Sequence, residues 1–320
     1  MNCMIEIGNI GASINIRRIR NKRNHEYADR RPFLPTVKNE IEKRRGLTGK
    51  STMENELTAI RSFVRYAGKS LTMGDVTPRL ISDYERWLLN RGIKHNTSAC
   101  YLRSLRAVLN RCGKDGAYLF RKVHTATFRT EKRALDEHSI RKIRNVRLRE
   151  GSFLALAREL YLFSIMAMGI PFVDLAHLRK SDICDGHIIY NRQKTGKQVK
   201  VRIEPCMQRI IDRLDDSESR YLFPLLKTGS EREYLSLLNR YNRSLARIST
   251  LAGLKRRLTS YTARHTWASM AYKKGIPLAV ISKALGHSSP IMTQNYLKEI
   301  DDEAIGLANR RFLREFNELR

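Results

Sequence analysis

From residue 96 the chain reads NTSACYLRSLRAVLNRC, with Leu102, Leu105, Leu109 and Cys112 at i, i+3, i+7 and i+10. That spacing draws one apolar stripe along a helix. Arg103 and Arg106 form a basic row beside it. One face can pack while the other meets a phosphate backbone. Three shorter helices are expected before it. VKNEIEKRR runs up to Gly46, a plausible stop. STMENELTAIRSFVRYA opens on a capping-box pair, Ser51 and Glu54, and carries Leu57, Ile60 and Val64 on one face. RLISDYERWLLNRG follows Thr77, a cap, and Pro78, a first-turn residue.

The pattern then fades. Residues 121–133, RKVHTATFRTEKR, are polar, basic and weakly periodic, which reads as an interdomain linker. Apolar periodicity returns from 134 and is mostly helical. The exception is HIIYNRQKTGKQVKVRI, where Ile188 and Tyr190 alternate before Thr195-Gly196, and Val199, Val201 and Ile203 alternate after it. This predicts a β-hairpin. A helix is expected in LTSYTARHTWASMAYKKG, capped by Thr259 or Ser260, with Ala263, Trp267 and Met270 as its apolar stripe. IPLAVISKALG gives a shorter one, with Leu278, Ile281 and Leu285 on one face and Gly286 as its stop. Ser288 or Ser289 can cap the next helix, which has Pro290 in its first turn and carries Tyr296. At the C-terminus Ile305, Ala308, Phe312 and Phe316 form a last stripe that must bury against something.

The expected fold is mainly α with a small β-hairpin or sheet. The expected order is a basic arm (1–32), a helical domain (33–120), a linker (121–133) and a second, α+β domain (134–320).

Charge changes the picture most. The formal net charge is +29, from 61 Lys and Arg against 32 Asp and Glu. Such an excess attracts polyanions: nucleic acid first, an acidic membrane surface second. The arm contributes a dense run, RRIRNKRNHEYADRR, able to contact phosphates. No apolar run reaches transmembrane length, and the N-terminus lacks the apolar core of a secretory signal, so a cytosolic (cytoplasmic) protein is expected. The five cysteines are scattered and the eight histidines show no metal-ligand spacing. Free thiols and no metal site are expected.

Three segments place chemistry at structured positions. Lys194 stands at the hairpin tip, where a lysine is ordinarily solvated. Arg264 lies in the first turns of its helix, where a packed guanidinium could grip a phosphate bidentately, though such an arginine is commonly a surface ion-pair partner. His287 follows Gly286 at once, and Tyr296 lies nine residues further on. A tyrosine near a helix end is usually a packing residue.

Together, KTG at 194–196, ARHTWAS at 263–269, LGHSS at 285–289 and the tyrosine nine residues after that histidine resemble the tyrosine recombinase (phage integrase) family. ALDEHSI, 134–140, looks like the start of the family's catalytic domain, and the helical segment up to residue 110 looks like its core-binding, SAM-like domain. The wording of FVDLAHLRKSDI and SYTARHTWAS looks most like recombinases from Bacteroides-type bacteria. The resemblance implies site-specific DNA recombination without metal, cofactor or ATP. Tyr296 would attack the scissile phosphate and form a 3′-phosphotyrosyl link. Arg264 would stabilise the non-bridging oxygens, Lys194 would protonate the departing 5′-oxygen, and His287 would hydrogen-bond the phosphate. The partner would be double-stranded DNA with paired sites, held by a homotetramer, with the C-terminal stripe docking on a neighbouring protomer. The short arm favours a simple recombinase, an invertase for example, acting on short repeats.

Two positions depart from the family. Its first catalytic arginine is expected in MAMGIPFVDLAHL, 166–178, where Pro171 stands instead. Bacteroides-type relatives often carry that arginine just before the glycine, which here is Met168. Arg158 and Arg179 are near in sequence only. The usual histidine three residues before Arg264 is Tyr261, whose phenol could donate a hydrogen bond. A missing oxyanion donor typically costs about 10²–10³ in rate, so a slow recombinase is expected. The alternative is a DNA-binding protein of the same fold that no longer cuts. A type IB-like topoisomerase is the weaker third reading.

Overall fold

The computed structural model of the chain describes residues 29–128 and 134–287, with Thr293, Arg310 and Leu313. It divides into two compact units, 1–130 and 131–320, each around its own apolar core. The C-terminal stripe of Ile305, Ala308, Phe312 and Phe316, and most of the basic arm, lie outside the described residues.

The first unit is a helical bundle: α1 (Phe33–Glu42), α2 (Lys50–Ala67), α3 (Pro78–Asn90), α4 (His95–Arg111) and a single turn, α5 (Gly116–Leu119). The stripe of α4 is fully buried, Leu102, Leu105 and Leu109 having no exposed surface. Phe33, Phe63 and Tyr84 pack in the core at ring separations of 5.3 and 5.1 Å, the first pair tilted and the second edge-to-face. Tyr84 satisfies its buried hydroxyl by donating to Ser62 Oγ at 2.8 Å. Thr77 caps α3 as expected, its Oγ1 accepting from the Leu80 amide at 3.2 Å. The Ser51 cap is not used. Both Leu47 and Thr48 amides bond back to Arg44 O, a tight turn with Gly46 at φ +84°. That turn delivers the chain into α2 behind Gly49, two residues before the expected cap.

Residues 121–128, read from the sequence as part of a linker, are bonded to this unit. The His124 amide donates to Glu85 Oε1 at 3.1 Å. Asn96 holds Phe128 from both sides, accepting from its amide at 2.7 Å and donating to its carbonyl at 3.0 Å. Arg103 donates to Thr125 O at 2.6 Å. So Arg103, exposed on α4, already spends one donor within the unit, whereas Arg106 is half-buried.

The second unit is built on α7 (Phe153–Met166), which follows α6 (Glu137–Asn145) and buries residues on nearly every side, from Ala157 to Ser164. A helix apolar all round is a core helix. Next come α8 (Phe172–His177) and an antiparallel sheet of β1 (Ile183–Cys184), β2 (His187–Asn191) and β3 (Gln198–Arg202), in that order. The predicted hairpin is β2–β3, and its inward residues face one another: Ile188 pairs with Val201 and Tyr190 with Val199. The two residues of β1 are too few to show an alternation in sequence. Among the described residues four further helices follow: α9 (Pro205–Leu214), α10 (Glu231–Leu251), α11 (Thr262–Lys273) and α12 (Leu278–Ala284). The architecture is mainly α with one small antiparallel sheet, as expected. Among the described residues no helix is long and apolar enough to cross a membrane.

Candidate functional site

Helix α11 differs from its expected form. Its buried residues are Thr262, Ala263, Arg264, Thr266, Ala268 and Ala271, while Trp267 and Met270 are only partly covered. Small side chains let this helix pack on α7, where Thr262 meets Tyr161, and the Gly169 backbone lies close against Arg264. Neither Thr259 nor Ser260 caps it. Thr262 Oγ1 instead donates to Thr259 O at 2.7 Å and accepts from the Thr259 amide at 3.2 Å, with Tyr161 Oη 3.0 Å away. Those bonds pin the first turn.

Arg264, only 3 % exposed, uses its fork on backbone oxygens. Nη1 donates to Gly169 O at 3.0 Å and Nη2 to Leu285 O. Gly169 has to be glycine. Its φ is +70°, and a Cβ there would lie 2.8 Å from Arg264 Cα. The second oxygen comes from the end of α12, whose Ile281 and Leu285 are fully buried. The helix closes with Gly286 at φ +61°, where the Gly286 amide donates to Lys283 O and the His287 amide to Ser282 O. A glycine-stopped helix end of this kind fixes the residue that follows.

That residue, His287, has its Nε2 3.2 Å from Arg264 Nη2 and its Nδ1 2.9 Å from Thr293 Oγ1. A guanidinium only donates, so Nε2 accepts and Nδ1 carries the proton toward Thr293. Burial, then the charges of Arg264, Arg192, Lys194 and Lys197, lower the imidazole pKa to about 4. His287 is therefore neutral around pH 7, with a lone pair facing a guanidinium.

The hairpin supplies the remaining cations. Its turn closes through Arg192 and Lys197, with Gly196 at φ +66°. Lys194 is exposed in that turn. Lys197 Nζ donates to His287 O at 3.0 Å, tying the turn to the histidine.

Arg192 was not singled out from the sequence. It is 7 % exposed, and its Nη1 donates to Leu285 O at 2.9 Å and Gly286 O at 3.2 Å. Two guanidinium groups thus converge on one carbonyl oxygen. Arg192 Nε lies 3.7 Å from Asp174 Oδ2. Asp174, in the first turn of α8, is 4 % exposed and accepts from the Gln193 amide at 2.9 Å. Burial pushes its carboxyl pKa up, against the Gln193 amide and the Arg192 and Arg264 charges. A signal for Arg192 was present: Ile188 and Tyr190 point inward, and two residues on the same parity reaches position 192.

The other expected residues sit elsewhere. Pro171 precedes α8 in extended backbone, and Met168 takes φ +55°, a left-handed conformation. Arg158 caps the end of α6, its Nη1 donating to Arg144 O and Val146 O. Arg179 opens a 3-10 turn, its amide donating to Asp182. Tyr261 is 49 % exposed and meets His265 edge-on at 4.7 Å. Tyr296, Ser288, Ser289 and Pro290 lie outside the described residues. Among the described residues no group of His, Cys, Asp and Glu converges as a metal site.

Both units are similar to known proteins. Residues 133–303 match the phage integrase family, and residues 32–127 match the phage integrase SAM-like domain. A tyrosine recombinase of Pseudothermotoga lettingae is 26 % identical over 146 residues, 44 % of this chain. The match spans about half of that relative, 49 % of its length. Among solved structures, a lambda integrase tetramer bound to a Holliday junction aligns with a TM-score of 0.66 at 16 % identity, covering 93 % of this chain and 88 % of that one. The Tn1549 transposon integrase in complex with transposon right end DNA aligns at 0.64 and 13 % identity, covering 86 % and 98 %. At these identities the structures speak for the fold.

Proposed function

The chain belongs to the phage integrase family, matched over more than half its length, and from that membership we propose that it is a site-specific DNA recombinase. The observation that carries the reading is the buried Arg264 fork against a neutral His287, beside a lysine-bearing hairpin. Tyr296 attacks a phosphodiester, the bond from phosphorus to the 5′-oxygen breaks, and a 3′-phosphotyrosyl bond forms. A phenol with a reference pKa of about 10 needs a proton acceptor. His287, held by the Gly286 turn beside Arg264, hydrogen-bonds the phosphate once it is bound. Arg264 stabilises the charge on the non-bridging oxygens. Lys194 gives a proton to the leaving 5′-oxygen. Attack by a second strand's 5′-hydroxyl reverses these steps, so no external energy source is needed.

The partner is double-stranded DNA carrying paired sites, in keeping with the +29 charge. The first unit grips DNA as the core-binding domain, with α4 and its arginines toward the backbone. Four protomers act together, as in the lambda integrase tetramer on a Holliday junction.

The test works without a defined DNA site. The wild type and Tyr296→Phe are expressed beside native DNA and lysed in denaturant, and covalently attached DNA is sequenced. Attachment by the wild type alone, at discrete positions, is expected. Equal attachment by both excludes Tyr296. Reversible site binding with no attachment leaves a DNA-binding protein of this fold.

A further inference from the structure

Resting on the recombinase reading, we propose that Arg192 is a catalytic residue: it supplies, from the hairpin, the second phosphate-gripping guanidinium that the 168–171 loop lacks. The loop cannot provide it. Pro171 and Met168 carry no charge, and the neighbouring Arg158 is committed to the end of α6. The hairpin provides one instead, two residues before Lys194.

Position supports the assignment. Arg192 and Arg264 donate to the same Leu285 oxygen, so their guanidinium groups lie side by side at the turn that presents His287. An anion held by Arg264 and His287 is within reach of both. The charge of Arg192 acts on the His287 ring, second among the charges that depress its basicity.

The fold also keeps Arg192 there. Gly286 takes φ +61°, and a Cβ on it would lie 2.7 Å from Arg192 Cδ. The arginine stem therefore occupies the space that any other residue at 286 would need. Asp174 orients the group without closing on it: Nε is buried and completes no hydrogen bond, with Asp174 Oδ2 at 3.7 Å. A buried cation placed only to brace the fold is usually closed by short bonds on each donor, because an open donor there is costly. Here Nε is held only by the long ion pair with Asp174, so the group is oriented without being locked. An arginine suits this place better than a lysine, since its planar fork can hold two backbone oxygens and still offer a donor to a phosphate oxygen.

The experiment uses the full chain and a duplex carrying a cleavage site recovered by covalent capture. Attachment rates of wild type, Arg192→Ala and Arg192→Lys are compared on that duplex and on one whose scissile phosphate is a methylphosphonate. The methylphosphonate lacks the anionic non-bridging oxygen. Both variants are expected to lose about 10²–10³ in rate on the phosphate, as for a lost oxyanion donor. They are expected to lose far less on the methylphosphonate, whose transition state carries one negative charge fewer. An equal loss on both duplexes marks a brace and overturns the assignment, as does no loss on either. Arg192→Lys keeps a cation facing Asp174, so the comparison survives if the alanine variant unfolds. A wild type that attaches to neither duplex overturns the recombinase reading and the assignment with it.

Discussion

Helices α4 and α11 are both central to their units, yet they bury opposite chemistries. The covered face of α4 is Leu102, Leu105, Val108 and Leu109, while that of α11 is Thr262, Ala263, Arg264, Thr266, Ala268 and Ala271. In α4 the buried area itself stabilises the bundle, at roughly 25 cal/mol per Å² of apolar surface. In α11 little apolar surface is gained. Small residues bring backbones close, and their carbonyl oxygens hold a cation. One helix is built for stability and the other for placing a charge.

The sharpest way to break this comparison is to exchange one residue in each. Arg264→Lys removes the fork that spans Gly169 O and Leu285 O, and attachment to DNA should slow by about 10²–10³ while the protein stays folded. Leu105→Ala should do the converse: lower unfolding free energy by about 2–5 kcal/mol and leave the rate per folded molecule unchanged. Denaturant titration and covalent capture on both variants check the pair. A stability loss without a rate loss for Arg264→Lys would make α11 an ordinary core helix.

A smaller effect comes from pH. The His287 pKa is about 4 when folded, against an ordinary value of 6.5. Between those values the unfolded chain binds a proton that the folded chain refuses. Stability is therefore lost as pH falls through that window and is flat above it. His287→Asn should remove this part of the slope, measured as the difference in unfolding free energy between about pH 7 and about pH 5. Identical slopes would mean that neither burial nor the cations around His287 lower its basicity.

The smallest effect belongs to the first unit. Thr77→Ala loses the bond from the Leu80 amide and should destabilise by about 1 kcal/mol, with no change in cleavage. A rate change would show that α3 couples to the chemistry.

The sequence by itself determined what depends on near neighbours along the chain. The stripe of α4, the Thr77 cap, the inward alternation of the β2–β3 hairpin and the Gly286 stop follow from periodicity and turn chemistry, and all are present. Arg264 and His287 were legible because their motifs travel with recognisable neighbours, and the fold brings these two into contact. Only the tertiary structure decided the rest. The Ser51 cap gave way to a turn at Arg44–Thr48, and the expected α11 stripe gave way to close packing of small residues. Arg192 is the clearest instance. Its strand parity said inward, but its worth depends on Leu285 O and Gly286 O, more than ninety residues away in sequence. Local pattern can say that a side chain will be buried. Which oxygens and charges meet it there is set by how separate elements pack, and that is where a buried arginine becomes either a brace or a tool.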